Sequence, residues 1–174
     1  MSLIEPAEIE PDSRGPLPMR VRLASPRDYD ALCGLFDELD EIHRQARPDL
    51  FKPFDGPART REQIERWLAE PESTLLVAQS EEGVVGLAVL VTRAPSGFAG
   101  AISRKVVEVD NLVVRADQRG RRVGRRLLSA AVEWSRQRRA THVEVCVHDF
   151  NRDVQRFYRS FGFAPSVDRL VLAA

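Results

Sequence analysis

The stretch that decides the fold is residues 105–128, which read KVVEVDNLVVRADQRGRRVGRRLL. Its first half is rich in β-branched residues and predicts a long strand over 105–115. A basic turn carrying Gly120 and Gly124 follows, and it leads into apolar residues that recur at helical spacing. The stretch therefore predicts a strand, a tight turn and an amphipathic helix in direct succession.

The turn before the predicted helix is suited to binding an anion. The first N–H groups of a helix lack intrahelical acceptors, and the helix dipole adds about half a positive charge there. Between Arg115 and Arg139, nine arginines stand against two acids, a local charge of +7 in a chain whose net charge is zero. We therefore predict a phosphate site over 119–124, where the two glycines let the backbone approach a ligand.

Composition limits the classes of protein to which the chain can belong. The chain has 174 residues, 43% of them hydrophobic, which is enough to bury the core of one domain. Basic and acidic residues are equal at 26 each, so no overall charge favours nucleic acid as a partner. Apolar runs such as VVGLAVLV at 84–91 are too short to cross a bilayer, and the acidic, proline-rich N-terminus is unlike a signal peptide. We predict a cytoplasmic protein that binds neither nucleic acid nor membranes.

Proline, glycine and capping residues divide the chain into elements. Residues 1–18 hold four prolines and no periodic apolar pattern, which predicts a flexible tail before one domain over 19–174. The domain is predicted to contain a strand, two helices, three strands, a helix, a strand over 141–147, a helix and a final strand. Cys33 and Cys146 lack metal-ligand spacing, so we expect buried thiols and no metal.

A second informative segment is residues 148–163, HDFNRDVQRFYRSFGF. Asn151 can cap a helix whose apolar residues fall at i, i+3, i+4 and i+7, and Gly162 marks its end. With RGRRVG after the preceding strand, this segment resembles the GCN5-related N-acetyltransferase (GNAT) family over about residues 19–172. The family's acetyl-CoA pattern is matched at Arg119 and Gly124, while its middle glycine is Arg122 here.

The resemblance implies a single α/β domain with a mixed, mostly antiparallel central sheet flanked by helices. It also implies an N-acetyltransferase that moves an acetyl group from acetyl-CoA to a primary amine by direct transfer in a ternary complex. Backbone groups near Leu112, Val113 and Val114 would bind the pantetheine arm and polarise the thioester carbonyl. The pyrophosphate would lie at Gln118, Arg119, Gly120, Arg121, Arg122, Val123 and Gly124.

The resemblance also suggests roles for two residues of the second segment. Tyr158 matches the family's tyrosine that protonates the leaving sulfur, although a tyrosine on an apolar helix face can equally be a core residue. Asn151 matches an asparagine that hydrogen-bonds the cofactor, although it can also act only as a helix cap.

The acceptor arrives as an ammonium ion and needs a base. Asp110, the preferred candidate, and Glu108 alternate with valines on the long strand and project from one face of it. The alternative is that both carboxylates line a solvated edge. His43 and His148 are further candidates with less support.

The acceptor side is predicted from the first helix, because in the GNAT family that helix and the following linker line the acceptor groove. An acidic rim would favour a cationic small molecule or peptide, whereas the simpler explanation is a solvated helix face. Phe51 and Phe54 in the linker are possible walls. The six acids are Asp28, Asp30, Asp37, Glu38, Asp40 and Glu41, with no basic residue among them.

Two other classes of function remain as alternatives. A nucleic-acid-binding protein would use the arginine-rich helix, but the segment lacks the stacking and base-reading residues of strong binders. A regulatory module that binds acyl-CoA without turnover would have no use for Tyr158 as a proton donor. The sequence leaves open the identity of the amine and the oligomeric state, a homodimer included.

Overall fold

The computed structural model describes residues 19–172, so the tail predicted for 1–18 lies outside the described residues. Short 3-10 turns, Pro26–Asp28 and Ala116–Gln118, precede two of the helices. The helices are α1 (Tyr29–Ala46), α2 (Arg61–Ala69), α3 (Val123–Gln137) and α4 (Arg152–Phe161). The strands are β1 (Arg20–Leu23), β2 (Ser73–Ser80), β3 (Gly83–Arg93), β4 (Val106–Val114) and β5 (His142–Glu144).

The five strands form one sheet in the order β1-β2-β3-β4-β5. The first four pair antiparallel, and β5 pairs parallel with β4. A parallel neighbour requires a crossover, which α3 supplies. The predicted single α/β domain with a mixed, mostly antiparallel sheet is therefore confirmed.

Helices cover both faces of the sheet. Successive strand residues point to opposite faces, so Leu75 and Val77 belong to the core beneath α1 and α2, while Leu76 and Ala78 belong to the core beneath α3 and α4. The central strands are consequently near-continuous apolar runs, as expected where a sheet is buried on both sides. Among the helices of 19–172, none is long and apolar enough to cross a membrane.

Two irregularities in β4 shape the middle of the domain. Val109 pairs with Leu90 and Asn111 with Val89, which leaves Asp110 as the extra residue of a β-bulge. Pairing between β4 and β5 ends at Glu108 and Glu144. Beyond these residues the edge of β4 that faces β5 has no strand partner within the described chain, and we call this opening the β4–β5 gap.

Three sequence predictions were wrong in this part of the molecule. The strand predicted over 141–147 is confined to His142–Glu144, because the chain leaves β4 there and loses its hydrogen-bonding partner. No strand follows α4 within the described residues, and the apolar residues from Val167 to Leu172 are 87–93% exposed. An apolar pattern needs a neighbouring strand to become a sheet member. Cys146, expected to be buried, is exposed.

Candidate functional site

The turn between β4 and α3 takes a left-handed backbone at two positions. Gly120 has φ of 76° and Arg122 has φ of 63°, and Arg122 is the N-cap of α3. A glycine adopts this conformation freely, whereas a residue with a Cβ loses about 1–2 kcal/mol there. Arg122 thus keeps the backbone shape that a glycine would give.

Side chains tie the turn to its surroundings. Arg119 Nε donates to the carbonyl of Val114 at 2.9 Å, and its guanidinium lies 3.4 Å from Glu38 Oε2. The same Glu38 oxygen accepts the N–H of Ala116 at 3.0 Å. Gln118 is buried, and its side chain donates to Glu82 at 3.2 Å. The side chains of Gln118 and Arg119 therefore anchor the turn, and their main-chain N–H groups are also engaged, with the carbonyls of Arg115 and Ala116.

The start of α3 carries N–H groups without intrahelical acceptors. The first helical bond runs from Arg126 N–H to the carbonyl of Arg122 at 3.1 Å, so the amides of residues 123–125 precede it. A Cβ added to Gly124 would lie 3.6 Å from Phe157, 3.7 Å from Val114 and 3.8 Å from Leu112. Gly124 is thus in ordinary contact range of an apolar wall that leads from the turn along β4.

The β4–β5 gap begins where this wall passes along β4. Leu112 and Val114 pack against the core beneath α3 and α4, while Val113 is buried on the α1 face. Their backbone is extended, and beyond Glu108 the edge of β4 that faces β5 has no strand partner within the described residues. The gap and the donor-rich turn suit two adjoining parts of acetyl-CoA, the extended pantetheine arm and the pyrophosphate.

Tyr158 lies in the core beside the gap. Its ring packs at 5.2 Å from Phe157 and 5.3 Å from Phe163, measured between centroids. Burial raises the pKa of the Tyr158 phenol well above its usual value, so the hydroxyl keeps its proton at neutral pH. Asn151 accepts the N–H of Val154 at 3.3 Å and so caps α4. The predicted proton donor and the predicted cap thus stand on one short helix.

The two carboxylates predicted as bases share one arginine. Glu108 accepts a hydrogen bond from Arg93 Nε, and Asp110 lies 3.8 Å from the same guanidinium. Asp110 also accepts from Asn111 at 2.6 Å. Cys146 is close by, and partial desolvation of its thiol, together with the charge of Glu108, raises the pKa of this thiol. The sequence prediction missed Arg93, because it comes from the neighbouring strand β3.

The acids of the first helix are largely engaged by cations. Asp40 lies 3.2 Å from Arg59, and Glu41 lies 2.8 Å from Arg44. Glu38 is bound at the β4–α3 turn, as described above. The predicted acidic rim is therefore weaker than the count of six acids implies, since neighbouring guanidinium groups offset much of its field.

Four aromatic rings from three distant segments meet beyond the end of β5. His43 of α1, Phe51 of the linker, and His148 and Phe150 of the β5–α4 loop have centroids 5.3–5.8 Å apart. We call these four residues the aromatic cluster. The sequence prediction named the two histidines and Phe51 separately, but it missed Phe150 and the contact among the four rings. No local spacing links residues that lie about a hundred positions apart.

Comparisons with known proteins bear on the family and the fold. The family model of the Acetyltransferase (GNAT) family matches residues 36–163. The uncharacterized N-acetyltransferase YhfO of Bacillus subtilis (strain 168) is 26% identical over 145 residues, which are 83% of this chain and 89% of that protein.

Solved structures show the same fold. A tetramutant of the BH1408 protein from Bacillus halodurans is similar with a TM-score of 0.83 at 24% identity, covering 88% of this chain and 99% of that one. The aminoglycoside N-acetyltransferase AAC(6')-Iy in complex with CoA has a TM-score of 0.67 at 18% identity, covering 94% and 97%. Because the family model spans well over half of the residues, the chain belongs to the GNAT family of N-acetyltransferases and uses acetyl-CoA as its acetyl donor.

Proposed function

We propose that this enzyme acetylates a primary amine by direct attack on acetyl-CoA within a ternary complex. The observation that carries the proposal is the β4–β5 gap, which opens between the donor-rich start of α3 and the helix that bears Tyr158. Bound there, acetyl-CoA supplies an activated acetyl group as a thioester. Direct transfer needs only positioning, a base for the ammonium ion and an acid for the leaving sulfur.

The chain offers residues for holding the donor. The amides of residues 123–125 and the left-handed turn at Gly120 would bind the pyrophosphate, with the exposed guanidinium groups of the turn beside it. The free edge of β4 near Leu112 and Val114 would bind the pantetheine arm and polarise the carbonyl through main-chain N–H groups. Asn151 would add a hydrogen bond through the part of its amide that does not cap α4.

Tyr158 is proposed as the acid that protonates the leaving sulfur. Its hydroxyl stays protonated in the core, and α4 places it in the same apolar layer as Leu112 and Val114. Asp110 at the bulge and Glu108 are the carboxylates that the sequence prediction offered as the base. Both are engaged by Arg93, which restrains where they can reach.

We propose a cationic amine, either a small molecule or a peptide, as the acceptor. Asp37 stays exposed on α1, and a cavity of about 290 Å³ opens between α1 and the linker. That cavity is lined by Asp40, Leu50, Phe51 and Phe54 together with three basic residues. The structural relative AAC(6')-Iy is named as an aminoglycoside N-acetyltransferase. Aminoglycosides carry several amino groups, which agrees with the proposal at the level of substrate class. The cytoplasmic location predicted from the sequence is part of the same proposal.

The experiment is a screen of amines against acetyl-CoA, with release of the free thiol as the signal. The panel contains spermidine, kanamycin, a lysine-containing peptide, free amino acids and an uncharged aromatic amine. We expect turnover with at least one cationic amine and weaker turnover with the uncharged one. Thiol release with none of them, while acetyl-CoA still binds, would favour the regulatory module that binds without turnover.

A further inference from the structure

The aromatic cluster contains two imidazoles among its four rings. His43 meets His148 edge to face, with centroids 5.4 Å apart and an interplanar angle of 68°. His148 stacks on Phe150 at 5.4 Å and 19°, and Phe51 closes the other side. His43 is half-buried and His148 is exposed, so the pair reaches from the protein interior to solvent.

One hydrogen bond sets the state of His43. Its Nδ1 lies 2.8 Å from the carbonyl oxygen of Leu39, which can only accept. Nδ1 must therefore carry the proton, and in the neutral ring Nε2 has a free lone pair. The backbone of α1 thus presents His43 as a proton acceptor with a fixed ring orientation.

Helix α1 places this acceptor at the open end of the β4–β5 gap. Glu38 binds Ala116 just beyond β4, and His43, more than one turn later, meets His148 beyond β5. The gap opens toward this end, because β4 and β5 are parallel and separate after Glu108 and Glu144. Tyr158 belongs to the core on the opposite face of the sheet. A base and an acid on opposite faces suit a reaction in which the amine loses a proton on one side and sulfur gains one on the other.

The charged groups around the pair are already matched with one another. On α1, Glu41 binds Arg44, and in the linker Arg47 lies 2.6 Å from Asp49. Asp149 of the β5–α4 loop interacts with Arg47, and Asp40 binds Arg59. Neither histidine of the pair makes a salt bridge within the described residues. The imidazoles are therefore available for proton transfer, in contrast to Glu108 and Asp110, which Arg93 holds.

We propose that His43 is the general base of this enzyme and that the ring of His148 holds it in place. The step rests on the proposed function. An N–H bond of the acceptor's ammonium ion breaks, Nε2–H forms, and the imidazolium returns its proton to water. The neutral amine then attacks the acetyl carbon, and the C–N bond forms as the C–S bond breaks. Tyr158 gives its proton to the departing sulfur, and the proton shed by the new amide nitrogen restores the phenol.

The test is the pH dependence of kcat/KM for the most active of spermidine, kanamycin and the lysine-containing peptide. The variants are His43→Phe, which keeps an aromatic ring in the cluster, His43→Gln, and His148→Phe. His142→Phe is the matched control, because this histidine is exposed on β5, outside the aromatic cluster, with its Nδ1 3.0 Å from Thr141 Oγ1. The thermal shift given by CoA monitors the integrity of the donor site in every variant.

In the parent enzyme and in His142→Phe, we expect kcat/KM to fall on the acid side of the profile, because a general base acts only in its unprotonated form. His43→Phe should lose about 10²-fold in kcat/KM at pH 7. It should recover toward the parent at high pH, where the amine loses its proton unaided. His148→Phe keeps a ring against His43 and should lose much less. A purely structural role for His43 would lower the rate equally at every pH.

The outcomes separate the two proposals. If the parent enzyme acetylates no amine of the panel, the proposed function fails, and the base fails with it. If the parent is active and either His43 variant keeps its rate and its acid limb, only the proposal for His43 is overturned. Loss of the CoA thermal shift in both His43 variants, or a deficit that persists undiminished at high pH, also overturns it.

Discussion

The β4–α3 turn and the aromatic cluster are both parts of the candidate site, but they are held in different ways. The turn is a continuous segment, tied by the bonds of Arg119 to Val114 and of Glu38 to Ala116. The cluster joins α1, the linker and the β5–α4 loop by ring contacts, and the linker over 47–60 contains neither helix nor strand.

The difference follows from what each region recognises. A donor common to a whole family can be bound by main-chain groups, whose geometry depends on a short local sequence. An acceptor is chosen by side chains that loops bring together, and loops tolerate change more readily than the elements that they connect. Changes in the turn should therefore abolish acetyl-CoA binding. Changes in the aromatic cluster and the first helix should instead alter the rate of transfer and the preference among acceptor amines.

The largest effect is expected at Gly124. Replacement by valine adds two methyl groups beyond a Cβ that would already contact Phe157, Val114 and Leu112, so binding of acetyl-CoA should be lost. The parent should gain about 2.7 kcal/mol of stability at a ligand concentration one hundred times the Kd, measured as a thermal shift. Gly124→Ala is the matched control and should retain most of the shift. A normal shift in Gly124→Val would mean that the phosphates bind elsewhere.

Tyr158→Phe tests whether the buried Tyr158 hydroxyl is the acid that protonates the leaving sulfur. The variant removes one hydroxyl and keeps the ring between Phe157 and Phe163, so the fold and acetyl-CoA binding should persist. Turnover at saturating acetyl-CoA should fall by about 10²-fold. The other tyrosine, Tyr29, donates its hydroxyl to the carbonyl of Arg59, and Tyr29→Phe provides the comparison. An unchanged rate in Tyr158→Phe would make Tyr158 a core residue only.

Asp28 tests how firmly the start of the first helix is anchored. Hydrogen bonding from Arg22 lowers the Asp28 pKa from 3.8 to about 2, opposed in part by burial. The ionised form is thus favoured by folding, and its contribution of about 1–2 kcal/mol is present above about pH 5 and lost as the pH falls toward 2. Asp28→Asn should reduce the free energy of unfolding at pH 7 and flatten its acid dependence. Equal acid sensitivity in both proteins would show that Asp28 is not the group responsible.

The smallest effect is expected from neutralising the first helix. The double variant Asp40→Asn with Glu41→Gln removes two acids that already pair with Arg59 and Arg44, so kcat/KM for a cationic amine should fall only about two- to fivefold. Added salt should lower the kcat/KM of the parent toward that of the variant, because screening acts over about 8 Å at physiological ionic strength. Acetyl-CoA binding should not change. Equal efficiencies for the parent and the variant would leave these acids as a solvated helix face.

The sequence by itself determined the succession of β4, its turn and α3, and the cap of α4. These features depend on local rules, because β-branched runs, glycine positions and capping residues act on neighbours a few places away. Arg122 illustrates the limit of such rules, because no local rule predicts the left-handed backbone that this arginine adopts.

Only the tertiary structure decided the rest of the site. The bulge at Asp110, the end of β5 at Glu144 and the arginine shared by the two carboxylates all depend on which strands are neighbours. The meeting of His43 with His148 depends on how α1 crosses the sheet. The physical reason is that these contacts join residues far apart in the chain, and their proximity is a property of packing that no local pattern encodes.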